Sequence, residues 1–299
     1  MYRIQRLLDR QGRRLETLSD AEARRFLRAF DDARRQLHED LRQLARAPRQ
    51  RFTLQHVRVY LAQVEAGIVQ LQNRLGEQLD AGVRSHQERA LQDLLSAIGA
   101  QEAQFPQVGR AIELEVLGRL SERRGLLLHR HSLLRYGAQL IEEMQRALTV
   151  GVARGATWRQ VTEQLAGPTG LMAGQRHRAA LIVRMEIIRA YNAGHQESLQ
   201  QAAAVLDEPG EADPLLAKAD ETRDHRSHPF SRALHGRTRP VDGEWRVPIA
   251  EVQKYARRLK KRASGILWRQ AGNAYVGQLY PAHFADRGRQ VPWRRSWES

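Results

Sequence analysis

The sequence predicts a mainly helical protein, with an elongated helical bundle or hairpin region over residues 1–150 followed by a smaller α+β domain over residues 151–299 that ends in an extended tail. Three observations carry that prediction. Apolar residues recur at three- and four-residue spacing through the first half, where glycine and proline are sparse. Gly151, Gly155, Gly167, Pro168, Gly170 and Gly174 then break the chain repeatedly. Beyond 206 the chain is loop-rich with short strand candidates, and it holds four of the five tryptophans, Trp245, Trp268, Trp293 and Trp297.

The elements follow in order. Phe26, Phe30, Ala33, Leu37, Leu41 and Leu44 form a helical stripe that stops near Pro48. Leu54, Val57, Leu61, Val64, Ile68, Leu71, Leu75 and Leu79 form a longer, heptad-like seam, as expected of a helix packed lengthwise on another. Further stripes run through Leu91–Ile98, Val108–Leu120 and Leu133–Leu148. Thr157 and Gln160 have capping-box spacing and open a short helix that Gly167-Pro168 stops. A longer helix is expected over about 174–206, ended by Pro209-Gly210. A strand is expected over 244–247, then a last helix over about 249–263 whose basic residues cover most of its circumference.

Composition narrows the chemistry. The chain has no cysteine, which removes disulfides, thiolate nucleophiles and cysteine-ligated zinc. No stretch approaches the ~18 apolar residues of a membrane span, and the first residues lack the apolar core of a secretory signal, so a protein made in the cytoplasm is expected. The formal net charge is +15, and 45 of the 49 basic residues are arginine, since lysine occurs only at 218, 254, 260 and 261. GC-rich coding raises arginine over lysine, but it does not set the sign of the net charge. An excess this large points to an anionic partner, most simply nucleic acid. The arginine pairs 13–14, 24–25 and 34–35 lie among Asp20, Glu22, Asp31 and Asp32 and read first as a solvated helix face.

Three blocks, in order, carry a resemblance. The first is a small-Gly-small-Thr lead-in at Ala153–Trp158, a short capped helix, and then Arg184-Met185-Glu186-Ile187-Ile188-Arg189-Ala190-Tyr191-Asn192-Ala193-Gly194. The second is Asp224-His225-Arg226-Ser227-His228-Pro229-Phe230-Ser231 with Leu234 and Gly236, and the third is Tyr280-Pro281-Ala282-His283-Phe284-Ala285-Asp286-Arg287-Gly288. Together they resemble the phage Mu F-like head-morphogenesis (minor capsid) family over about 140 residues; residues 1–150 carry no such motif. The sequence departs from the family's pattern at Met185, where threonine is usual. His228, Ser231, Asp286 and Gly288 stand where many members have cysteine. The resemblance implies a non-enzymatic virion protein at the portal vertex or capsid interior. Its implied partners are portal or other capsid proteins and non-specific double-stranded DNA, in several copies per particle, with no membrane and no cofactor.

Glu186 shares a helix face with Val183, Ile187 and Ala190, so it is expected to be partly buried and to need a cationic partner. Arg189 one turn on, or Arg226 or Arg287 from the later blocks, supplies one, and Arg184, Glu186, Arg189, Asp224, Arg226 and Arg287 are read as a structural ion-pair core. His228, His283 and Asp286 are the residual candidates for a metal site. The alternative function is a metal-dependent nuclease, or another DNA-processing enzyme, built on this His/Asp cluster. Arg257, Arg258, Lys260, Lys261 and Arg262 are the candidate contact to DNA or to an acidic partner. Trp293 and Trp297 suggest a strap clipped onto the protein's own domain or a neighbour.

Overall fold

The structure is a computed structural model that describes residues 2–44, 51–101, 109, 112, 116, 128–207, 211–220, 228–263, 266, 268–277 and 289–298. It is mainly helical, with long helices in the first half and small antiparallel sheets toward the C-terminus. The helices are α1 (Tyr2–Leu44), α2 (Leu54–Gly99), α3 (Leu128–Ala153), α4 (Trp158–Ala166), α5 (Leu171–Gly174), α6 (Arg176–Leu206), α7 (Pro229–Leu234) and α8 (Ile249–Leu259). The strands are β1 (Leu216–Asp220), β2 (Thr238–Pro240), β3 (Trp245–Pro248), β4 (Arg269–Ala271), β5 (Ala274–Gly277) and β6 (Arg289–Trp293), followed by a 3-10 turn at Arg295–Glu298.

The chain forms two compact units that interleave along the sequence. Met1–Asp20, Gly82–Leu126 and Arg184–Ser299 make the first, called here the sheet unit; Ala21–Ala81 and Leu127–Val183 make the second, the helical unit. The change of texture near residue 150 marks the end of α3, whereas the compact units divide within α1, α2 and α6.

The helical unit is held by apolar and aromatic packing. Phe26, Phe30, Leu37 and Leu41 of α1 and Val64, Ile68, Leu71, Leu75 and Leu79 of α2 are buried, as their spacing requires. The start of the α2 seam differs from expectation. Leu54 is 70 % exposed, and Tyr60 takes the core position, its hydroxyl donating to Leu41 O at 2.9 Å. Tyr60 packs edge-on against Phe52 and Trp158, with ring centroids 5.0 and 4.8 Å away. A larger, amphipathic ring that can satisfy a helix-end carbonyl therefore replaces leucine there. Thr157 caps α4 through the expected reciprocal pair, accepting from Gln160 N at 3.3 Å while its own N–H donates to Gln160 Oε1 at 2.8 Å.

The sheet unit gathers two three-stranded antiparallel sheets, ordered β2-β1-β6 and β3-β5-β4, around one core. That core includes Leu91, Leu94 and Ile98 of α2, Ile112, Val116, Leu199 of α6, Phe230 and Leu234 of α7, and Trp245, Val247, Val252 and Trp268. The α6 backbone passes close to α2, since a Cβ on Gly194 would lie 2.9 Å from both Cα and O of Gln87. Only glycine allows that approach.

Candidate functional site

The candidate contact residues lie at the end of α8, in the sheet unit. Pro248 precedes the helix, whose apolar stripe is set by Val252, buried, with Tyr255 and Leu259 half-buried. Lys254, Arg257 and Arg258 project from the opposite, exposed side. The helix is shorter than its basic run. It stops at Leu259; Lys260 adopts φ +51°, and the Lys261 N–H closes back on Ala256 O at 3.0 Å. Of the five candidates only Arg257 and Arg258 are on the helix, so the basic residues do not encircle it. Lys260, Lys261 and Arg262 ride instead on the left-handed turn and the residues after it. A left-handed lysine costs roughly 1–2 kcal/mol relative to glycine, and it directs the run away from the helix axis. Among the described residues, Lys254, Arg257, Arg258, Lys260 and Arg262 make no ion pair, while the helix's own acid, Glu251, is taken by Arg237. Cations in a last helical turn also favour the carbonyl end of the helix dipole, by about 0.3–1 kcal/mol each at the surface.

A second arrangement escaped the sequence reading. Arg239 of β2 is 5 % exposed, and both of its terminal nitrogens are hydrogen-bonded. Its Nη1 donates to the carbonyls of Pro240, Val241 and Gly243 at 2.9, 2.7 and 2.7 Å. Its Nη2 donates to Gln196 Oε1 at 2.6 Å and Gln290 Oε1 at 3.3 Å, and the guanidinium lies 4.9 Å from the Trp245 ring centroid. Gln196 Nε2 in turn donates to Val241 O at 2.6 Å, and the Gln290 N–H donates to Asn192 Oδ1 at 3.3 Å. One side chain thus joins α6, the 240–243 turn and β6. Planar, multidentate donation of this kind is what guanidinium supplies and ammonium does not. Thr238-Arg239-Pro240 has no periodicity from which burial could be read.

The residues that carry the resemblance divide between the described and undescribed parts of the chain. Glu186 is 5 % exposed, and Arg189 Nη1 donates to its Oε1 at 3.0 Å. Arg184 points to a different face and pairs with Asp20 of α1 at 2.9 Å, both side chains about half exposed. His228 caps α7: its Nδ1 accepts the Phe230 N–H at 3.1 Å. Ser231 and Leu234 are buried in α7, and Gly236 has φ +78°, the conformation that makes glycine the fitting residue after this helix. Asp224, Arg226, His283, Asp286 and Arg287 lie outside the described residues. Among the described residues, no group of three or more His, Asp or Glu side chains is placed to hold a metal ion, and no helix is long and apolar enough to cross a membrane.

The tail is a strap on its own unit. β6 pairs with all of β1, from Leu216↔Trp293 to Asp220↔Arg289. Lys218 Nζ lies 5.4 Å from the Trp293 ring centroid, and Trp297 packs on the core. Arg294 pairs with Asp207, which also accepts the Leu215 N–H at 3.0 Å. Burial pushes the Asp207 carboxyl above its ordinary pKa, against the pull of that N–H and of Arg294. Asp213 accepts the N–H groups of Arg295 and Ser296, both at 2.8 Å, and so caps the 3-10 turn. Hydrogen bonds from Ser296, side chain and backbone, hold the Asp213 carboxyl below its ordinary pKa.

No family model, curated protein or solved structure matches this chain.

Proposed function

We propose that this chain is a structural, non-enzymatic minor capsid or head-morphogenesis protein of a tailed phage. It is made in the host cytoplasm and built into the virion at the portal vertex or capsid interior, in several copies. Its partners are the portal or other capsid proteins and packaged double-stranded DNA, the latter met by the basic end of α8. The observation that carries this reading is how the resemblance-bearing residues are used. Glu186, Arg184, His228, Leu234 and Gly236 hold a helix, a cap and a turn in place, and charge is presented to solvent at Lys254, Arg257, Arg258, Lys260 and Arg262. Such a surface neutralises phosphates without reading bases.

Quantitative mass spectrometry of purified heads tests the assembly role. A fixed stoichiometry is expected, and absence from particles overturns it. A mobility-shift series tests the DNA contact: binding to duplex of any sequence, weakening steeply between about 50 and 200 mM salt, is expected. Divalent-ion-dependent plasmid nicking would establish the nuclease alternative instead.

A further inference from the structure

A second basic surface is carried by α1. At about 100° per residue, Arg6, Arg10, Arg13 and Arg14 fall within an arc of roughly 100° and span about 12 Å along the axis. All four are exposed, whereas Gln11, Leu15 and Ser19 on the opposite side are buried. Among the described residues these four arginines make no ion pair. Farther along the same helix the pattern is different. Arg25 pairs with Glu22 at 3.0 Å, Arg35 with Asp32, and Arg42 with Glu39 at 3.9 Å, each carboxylate one turn back.

We infer that Arg6, Arg10, Arg13 and Arg14 form a contact for the phosphate backbone of duplex DNA. The inference rests on the reading that DNA is a partner, and it adds a surface on a different element from α8. The chemistry of the stripe selects this occupant. A protein interface needs an apolar or aromatic centre. Among the described residues the exposed large apolar side chains are Leu54, Val59, Val69, Leu134, Val150 and Val205, none of them in this stretch. A lipid surface would need an apolar helix face to insert, and here the face opposite the arginines is packed inside the protein. A duplex needs only cations, because counterion release drives its binding. Twelve ångströms of stripe matches the rise of about three to four nucleotides on one strand.

The test compares three full-length proteins on one duplex over a salt series. In R6Q/R10Q/R13Q/R14Q the magnitude of the slope of log K against log salt is expected to fall by about 2–4, at about 0.9 per lost phosphate contact. The matching arginine-to-lysine variant is expected to keep the wild-type slope, since it keeps the charge. Circular dichroism verifies the helix in each; should the fourfold glutamine variant lose helicity, Arg10→Gln and Arg13→Gln singly are each expected to lower the slope by about one. An unchanged slope in folded glutamine variants overturns the inference and leaves the α8 contact standing. The same holds if polyglutamate, and not duplex, is the ligand whose binding the variant loses. Failure of the wild-type protein to bind DNA at low salt overturns both DNA contacts, while the assembly role is still decided by the particle measurement.

Discussion

The two compact units solve the problem of a core in opposite ways. The helical unit fills its interior with Phe26, Phe30, Leu37, Val64, Ile68 and Leu71, and uses polar groups mainly where helices end. In the sheet unit polar side chains run through the centre. From Asn192 to Gln201, α6 buries Asn192, His195, Gln196, Glu197, Ser198 and Gln201, and Arg239 and Gln290 meet it from the strands. An apolar core tolerates substitution by graded loss, because each removed methylene costs its own transfer and cavity terms. A polar core is less forgiving, since removing one donor strands several acceptors at once. The units are therefore expected to differ in how a single truncation is felt.

Arg239→Ala has the largest expected effect. It leaves the Gly243 carbonyl and two glutamine oxygens without their donor and takes one donor from the carbonyls of Pro240 and Val241, so a loss of about 4 kcal/mol is expected. Leu71→Ala, the matched truncation in the helical unit, is expected to cost about 3 kcal/mol. Hydrogen exchange checks the pair: Arg239→Ala should expose amides of 237–243 and 289–293 together, whereas Leu71→Ala should act chiefly on α2 around its own turn. Equal and equally local effects would erase the contrast drawn between the cores. Gly194→Ala ranks next, at about 2 kcal/mol, because the new methyl meets Gln87 backbone that has no rotamer to yield; urea melts give the value.

The smallest effect, Asp213→Ala, sharpens the picture of the strap. The carboxyl is depressed in the folded protein, so its contribution is present above the ordinary aspartate pKa and is lost as pH falls through the lower, folded value. Asp207 is shifted the other way, so its charged form is disfavoured by folding, and that cost grows as pH rises from the ordinary aspartate value through the raised one. Loss of order in 294–298 on acidification is expected in the wild-type protein. In Asp213→Ala the strap is expected to be looser at neutral pH, by about 1 kcal/mol, and to lose that acid response; Trp297 fluorescence against pH reports it.

Legibility in the sequence followed this same division. Helical stripes announce themselves when one face is uniformly apolar, so most core positions of α1 and α2 and the capped α4 are legible, while the start of α2 is not, because Tyr60 and not Leu54 fills the core there. The polar-threaded helix could be placed but not its interior, because nothing in Asn192, Gln196 or Gln201 marks them as buried until Arg239 and Gln290 arrive from a hundred residues away or less. The end of α8 was placed four residues late: the run Arg257–Arg262 contains no glycine or proline, and the left-handed turn fell on Lys260 instead. Of the proposed ion-pair core, the local pair Arg189–Glu186 followed from helical spacing alone. The partner of Arg184 did not, since Asp20 is distant in sequence.

The pairing of β6 with β1 also sets an order of events during synthesis. The helical unit needs nothing beyond Val183, so all its parts have been translated while more than a third of the chain is still to come. The β2-β1-β6 sheet cannot close until residues 289–293 have left the ribosome, and Gln290 brings the last ligand of Arg239 with it. Until then the guanidinium and its acceptors must remain hydrated, which keeps the nascent sheet unit open. Burial of Arg239 thus acts as a checkpoint on translation: the polar core locks only in a polypeptide that has been made through its strap.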